Sequence, residues 1–384
     1  MEVYLDNAAT TRVSEASAQA MMTMLREDYG NPSSLHNKGF SAEKAVEVSR
    51  GIIAAAMKVS KNDLYFTSGG TEGNNMAIHG AAQAYKRNGR HILVSDIEHP
   101  SVKEAAFQLE NSGFDVEVIP VDDHGLVHAN VLAGLVREDT ILVSVMHVNN
   151  EIGSIQAIKE LCQTVKKINE KVIFHVDAVQ SFGKYPLYPN RINVDLMTIS
   201  SHKIHGPKGV GALYLAPKVR LTPLVYGGDQ QKGVRSGTEN VPGIVGFGVA
   251  TQEAYEQLED RRKHMTDIRA YCADALEVKI PEIDFNSDLE KGAFHILNIR
   301  VIGVKSEVLL HSLEEVGIFV STGSACSSNK KHHSSTLQAL GQGSDATDQA
   351  IRLSFSCEIT KEAIDYFIQQ LGVIAPMLRR FKRK

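Results

Sequence analysis

No apolar run in this 384-residue sequence is long enough to span a bilayer, which excludes an integral membrane helix. Met1-Glu2-Val3-Tyr4 does not open a signal-peptide pattern either. Cysteine is scarce, with four residues and no CxxC pair, so neither a disulfide framework nor a zinc site is expected. No charge sign dominates. A net charge of −4 gives no basis for nucleic acid or a membrane surface as the main partner. The one like-charge run, Arg379-Arg380-Phe381-Lys382-Arg383-Lys384, reads as a solvated tail. Internal repeats and low-complexity segments are absent. These absences leave a cytoplasmic globular protein as the expectation.

What is present fits that class: hydrophobic content is 43% and charged content 22%. The length allows one large and one small domain. Strand-like runs at 91–95, 116–120, 141–146, 172–176, 194–199 and 210–215 alternate with helical or loop segments. Such alternation predicts an α/β layer with a largely parallel sheet covered by helices on both faces. Helices are expected at 14–28 and 41–58, and another from the Gly-rich turn near 70 to about Arg87. From 243 to 278 the pattern predicts one long helix bridging to a smaller C-terminal domain. There, 294–301 and 316–321 read as strands, and 306–315 and 361–381 as helices.

Ligand sites in such sheets lie at the carboxyl ends of strands, and the polar residues of interest cluster there. Lys203 follows the buried run 194–199, with Ser200, Ser201 and His202 before it and glycines after it. Taken alone, a lysine there belongs on a solvated turn; in a partly desolvated pocket it would be an amine nucleophile. Asp177 ends another buried run, and a buried carboxylate needs a partner, either a cationic ring nitrogen or an arginine. Gly69-Gly70-Thr71 opens a helix, which makes an anion site or simply a helix cap. His99 could stack on a ring, shuttle a proton or occupy a turn. Arg352 lies in an apolar run and needs an anion, for which a substrate carboxylate is one candidate. Among the cysteines, Cys162 shares a helical face with Ile158, Leu161, Val165 and Ile168 and reads as core. Cys272 also lies in a helical pattern. Cys357 fits no class. Cys326, in a small, polar segment before Lys330-Lys331-His332-His333, is expected to be an accessible thiol on a mobile loop. An amine, an acid, an anion cradle, a carboxylate clamp and a thiol together equip a pyridoxal-phosphate enzyme acting on an amino acid.

Eight segments carry a resemblance that spans essentially the whole chain. They are 4–11, 30–34, 67–72, 147–151, Asp177-Ala178-Val179-Gln180, Ser201-His202-Lys203, Arg235-Ser236-Gly237-Thr238 and Ser324-Ala325-Cys326. On these the sequence resembles the cysteine desulfurases of the nitrogen-fixation and iron–sulfur-cluster type, in the class V aminotransferase superfamily. The resemblance implies a fold-type I transferase, with a mostly parallel seven-stranded sheet in a large domain and a smaller α+β domain. Residues 14–255 would form the large domain, and 1–13 with 256–384 the small one carrying the catalytic-cysteine loop. Pyridoxal 5'-phosphate is the implied cofactor and L-cysteine the implied substrate, cleaved to L-alanine. A homodimer is implied too, with a cluster scaffold or a tRNA-thiolation enzyme as sulfur acceptor, no membrane and no direct nucleic-acid contact.

By resemblance, Lys203 is the Schiff-base lysine, Asp177 faces the pyridinium nitrogen, Gln180 faces the ring hydroxyl and His99 stacks on the ring. Gly70, Thr71, Ser200 and His202 would hold the phosphate, with Thr238 arriving from a second subunit. Asn150 and Arg352 would take the substrate carboxylate, and Cys326 the sulfur as a persulfide. Asp229 stands where the family often has glycine. Two other readings use the same scaffold: a selenocysteine lyase, and a class V aminotransferase, which would need no thiol.

Overall fold

The structure is a computed structural model, and it describes residues 1–322 and 334–381. The strands, in chain order, are β1 (Val3–Tyr4), β2 (Leu64–Thr67), β3 (His91–Ser95), β4 (Asp115–Ile119), β5 (Thr140–Ser144), β6 (Ile173–Asp177), β7 (Leu196–Ser200), β8 (Gly211–Leu215), β9 (Ile283–Phe285), β10 (Ile296–Val301), β11 (Ile318–Phe319), β12 (Ser321–Thr322) and β13 (Ala350–Ser354). Seven of them form one sheet in the order β2-β8-β7-β6-β5-β3-β4. Only β8 runs against its neighbours, so the expected mostly parallel seven-stranded sheet is what the chain builds. A second, antiparallel sheet has the order β12-β13-β10-β9, and β1 pairs in parallel with β11.

Strands β5, β6, β7 and β8 are buried at every residue. Both faces are covered, which is why these stretches read as near-continuous apolar runs. Side chains still alternate between faces. Phe174 and Val176 enter the core shared with Leu161, Cys162 and Val165. Ile173 enters the opposite core, against the helix Gly70–Tyr85. By the same period Asp177 falls on the side of that helix, and Thr198 and Ser200 fall there on β7. A third core gathers Val3 and Leu5, the helices Leu258–Lys279 and Lys361–Phe381, and the second sheet. Each large aliphatic or aromatic side chain buried in these cores contributes on the order of 1.5–3 kcal/mol.

Three expectations are corrected. The helix expected over 243–278 is two helices, Val241–Glu256 and Leu258–Lys279, broken at Gln257 (φ −115°, ψ 22°). Val241, Ile244, Phe247, Ala250 and Ala254 face the large sheet, whereas Met265, Ile268, Cys272 and Leu276 face the smaller one. One straight rod could not point its apolar stripe at both. The strand expected at 316–321 is two short pieces, β11 and β12, which pair with β1 and β13 respectively. Ile168 is 49% exposed although its helix-mates Ile158, Leu161, Cys162 and Val165 are buried. It closes the last turn of Ile158–Ile168, beyond the edge of the core. Cys162 and Cys272 are fully buried, as expected.

Candidate active site

The antiparallel pairing of β8 with both β2 and β7 brings the carboxyl ends of β2 and β7 to one edge. The parallel neighbours β6, β5 and β3 end at the same edge. The segments leaving these five strands supply Gly69-Gly70, Lys203, Asp177, Asn150 and His99.

Asp177 is buried at the end of β6. Its Oδ1 accepts the Val179 N–H at 2.9 Å and its Oδ2 accepts the Asn74 side-chain amide at 2.8 Å. Among the described residues no cation lies within ion-pair reach, so the arginine partner weighed from sequence is absent. The same Asn74 amide donates to Ser101 Oγ at 2.8 Å. Ser101 Oγ in turn lies 2.8 Å from His99 Nδ1, which also accepts the Ser101 N–H at 3.1 Å. With Ser101 Oγ taking the amide proton, its own hydroxyl donates to Nδ1, and the imidazole keeps its proton on Nε2. Burial lowers the His99 pKa, reinforced by Lys203 and opposed by Asp177. The ring is therefore neutral, with its position fixed from behind. Asn74 was invisible to sequence reading, because nothing in its helix marks it as a partner of a residue 103 positions away. Next to His99, Glu98 is buried, and its pKa is pushed up to about 8 by burial and then by the charge of Asp177. It accepts from Ser95 Oγ at 2.7 Å and from the Met146 N–H at 2.5 Å.

At the other end, Gly69 (φ 148°, ψ −173°) takes a conformation open in practice to glycine only, and it caps the helix Gly70–Tyr85 without a side-chain bond. The helix N-terminus is thus left bare for an anion. A Cβ on Gly70 would lie 2.8 Å from Val179 Cγ2 and 3.9 Å from Ser200 Cβ, so this turn, the Asp177 loop and the end of β7 converge. Ser200 Oγ is buried with no hydrogen-bond partner among the described residues. His202 Nδ1 sits 3.2 Å from Thr10 Oγ1, and burial and then Lys203 hold its pKa down to about 3. Thr71 is exposed. Glu72, also missed from sequence, accepts the Ser68 N–H at 2.6 Å and pairs with Arg235 at 2.7 Å. That pair ties the 227–240 loop to the glycine turn and leaves Thr238 exposed. Asp229 adopts the left-handed region (φ 60°), which aspartate tolerates, and its carbonyl accepts the Lys232 N–H. Glycine is not required there.

Lys203 is half-buried, in the 3-10 turn that follows β7. Its Nζ donates to the carbonyls of Ala8 (2.6 Å) and Ala9 (2.7 Å), and Gln180 Nε2 donates to Ala8 at 2.9 Å. The chain start therefore crosses the cleft. Gln180 Oε1 is buried and unpartnered among the described residues. His205, at φ 68°, turns the chain after Lys203 and is pinned by Thr11 Oγ1 and the Arg12 carbonyl.

The second sheet contributes Arg352, buried on β13. Nη1 donates to the Asn150 carbonyl at 2.8 Å and Nη2 pairs with Asp6 at 2.6 Å, while Nε is buried without a partner among the described residues. Asn150 is half-buried. Its neighbour Asn149 is fully buried and caps the Glu151 and Ile152 N–H groups with its own side chain. Cys326 lies outside the described residues. The arrangement offers an anion cradle, a buried carboxylate facing the same side, an amine at the same sheet edge and a cation for a carboxylate.

The family description for class-V aminotransferases matches residues 3–367. A protein from Archaeoglobus fulgidus named cysteine desulfurase IscS 1 is 42% identical over 376 residues, 98% of this chain and 97% of its own. Cysteine desulfurase IscS of Dictyoglomus turgidum is 40% identical over 378 residues, covering 98% and 95%. A solved structure titled NifS-like protein superposes with a TM-score of 0.93 at 38% identity, covering 98% of this chain and all of that one.

Proposed function

From the premise that the chain belongs to the class-V aminotransferases, and within them to the cysteine desulfurases, we infer how its residues share the reaction. The enzyme uses pyridoxal phosphate to convert L-cysteine to L-alanine. The sulfur passes to an enzyme cysteine as a persulfide and then to an acceptor. The cofactor, when bound, supplies an electron sink for the pair left behind by the α-proton.

Three buried polar atoms without partners among the described residues, Ser200 Oγ, Gln180 Oε1 and Arg352 Nε, support the fit of cofactor and substrate. The observation that carries the assignment is the Asp177 carboxylate, held by two N–H groups and by no cation among the described residues, at the end of the strand that pairs with the one leading to Lys203. In this reading Asp177 answers the protonated ring nitrogen, Gln180 the ring oxygen and His99 a ring face. Gly70, Thr71, Ser200 and His202 hold the phosphate, completed by Thr238 of the partner subunit. Arg352 and Asn150 receive the substrate carboxylate. Lys203 holds the cofactor and, once displaced, takes the α-proton. Cys326 accepts the sulfur: the substrate C–S bond breaks, an S–S bond forms, and alanine leaves.

Exposed Tyr29, Leu35, Phe40, Leu224, Val225 and Tyr226 support a homodimer, since apolar side chains left in water favour a partner face. The separate core around the second sheet supports a division into residues 14–255 and 1–13 with 256–384. A cluster scaffold or a tRNA-thiolation enzyme is the proposed acceptor.

Two variants test the reading together. Lys203→Ala should lose both the visible cofactor band and alanine release. Cys326→Ala should keep the band and lose release by about 10³-fold or more, because the nucleophile is gone. Near-normal release from Cys326→Ala would leave a pyridoxal-phosphate enzyme that needs no thiol, as the aminotransferase reading requires.

A further inference from the structure

Glu151 takes no part in the chemistry described so far, yet it is a buried carboxyl beside the substrate clamp. A buried carboxyl has to be bonded. Its partners lie 183 and 185 positions away: Ser334 Oγ donates to Oε2 at 2.5 Å, and Thr336 Oγ1 to Oε1 at 3.3 Å. Ser334 Oγ also accepts the Leu337 N–H at 3.0 Å and so starts the short helix Ser335–Ala339. Apolar packing repeats the contact one residue on, where Ile152 lies against Leu337 and Ala350. Glu151 is itself held from behind. Asn149 Oδ1 accepts its N–H at 2.8 Å, and Asn298 Nδ2 donates to its carbonyl at 3.2 Å.

In the sequence, Ser321 and Thr322 precede the segment that carries Cys326, and Ser334 and Thr336 follow it. The preceding end is paired with β13, where Ser321 stands opposite Arg352. The following end is bonded to Glu151, next to Asn150, whose carbonyl accepts Arg352 Nη1 at 2.8 Å. Burial raises the Glu151 pKa, and the Ser334 bond and then the Arg352 charge oppose the rise, so the clamp is felt at this carboxyl. Both described ends of the segment are thus fixed to the residues assigned to the substrate carboxylate.

We propose that Glu151 is a positioning residue for sulfur transfer, whose carboxyl ties the 334–336 end of the Cys326 segment to the Asn150–Arg352 clamp. This rests on the reading of Cys326 as sulfur acceptor and Arg352 as carboxylate clamp. The sulfur of a bound cysteine is placed by where its carboxylate is held. A thiol segment anchored to that same clamp therefore has its approach to the sulfur set by the clamp. Such anchoring counts because misplacing a reacting group by about 1 Å costs on the order of 10²-fold.

The test compares Glu151→Ala and Glu151→Gln holoenzymes by two readouts. The cysteine-induced change in the cofactor's visible band reports substrate binding, and single-turnover alanine release reports sulfur transfer. Glu151→Ala should keep the band and its half-saturating cysteine concentration, and release alanine about 10–100-fold more slowly. Glutamine keeps an oxygen for the Ser334 hydroxyl and offers an amide N–H to Thr336, so Glu151→Gln should recover most of that rate. Equal losses of binding and release in Glu151→Ala, or a Glu151→Gln as slow as Glu151→Ala, overturn the proposal. If Glu151→Ala does not fold, the double variant Ser334→Ala/Thr336→Val decides: the same split supports the proposal, and normal release ends it. A silent Glu151→Ala beside an inactive Cys326→Ala removes the proposal alone. Normal release from Cys326→Ala removes the thiol reading and the proposal with it.

Discussion

The two sheets each bring one charged side chain to the cleft, and they hold it on opposite terms. Asp177, at the end of β6, has both oxygens satisfied by dipoles and no opposing charge among the described residues. Arg352, on β13, has an opposing charge in Asp6 and a carbonyl in Asn150, yet keeps a buried Nε unpartnered. A carboxylate steadied only by N–H dipoles keeps its charge for a cation that arrives and stays, as a ring nitrogen does. A guanidinium with part of its fork unspent is built for an anion that comes and goes. Under the proposed function, the large sheet thus carries the permanent half of the site and the small sheet the exchangeable half.

That contrast can be broken most severely at Asp177. Asp177→Ala should retain the cofactor weakly and slow alanine release by about 10³-fold, the scale seen when a preorganised electrostatic partner is removed. Equal rates in wild type and variant would show that the carboxylate is a mere strand terminus. Arg352→Lys comes next. It keeps the charge and loses the planar fork, so KM for cysteine should rise about 10–100-fold with the cofactor spectrum unchanged, a loss of one or two charge-assisted bonds. A changed spectrum with normal KM would move Arg352 to the cofactor side and erase the distinction.

Asn74→Ala sharpens the comparison within the large sheet. It cuts the link from Asp177 through Ser101 to His99 and should lower kcat by about 10-fold, the cost of about one buried hydrogen bond. Asn74→Asp should do worse, by setting a like charge against Asp177; a variant faster than Asn74→Ala would contradict the network. Glu98 offers the smallest effect and a clear sign. Its folded pKa, about 8, lies above its ordinary value of 4.5, so the native state holds the proton more tightly than the unfolded chain. Its stabilising contribution is complete below about pH 4.5 and is lost as pH rises through about 8. Glu98→Gln should remove that dependence, leaving the variant more stable than wild type above pH 8 by on the order of 1–2 kcal/mol. Parallel melting-temperature profiles for the two proteins between pH 5 and 9 would remove Glu98 as the neutral counterpart of Asp177.

Much of this was legible in the sequence, for a definable reason. Strands buried on both faces must be largely apolar, so β3, β5, β6, β7 and β8 appear as near-continuous runs, and the polar residues near their ends announce the sheet edge. Lys203, Asp177, Gly70 and His99 could be singled out because each lies at, or within a few residues of, the end of a strand-like run. The segments quoted for the family resemblance fixed the chemistry more narrowly than periodicity could.

What the sequence left open depends on contacts between residues far apart in the chain. Period alone could not break the 243–278 helix at Gln257, because the break answers two cores that exist only after folding. Asn74 and Glu72 are ordinary helix residues until β6 and the 227–240 loop are brought against them. Asp6 meets Arg352 across 346 positions. Lys184, which nothing in the sequence singles out, is buried with its Nζ on the carbonyl of Lys203. Local sequence determines which segments must be buried; only the assembled structure determines which polar groups are buried with them, because a buried polar group must bond to whatever the fold brings within reach.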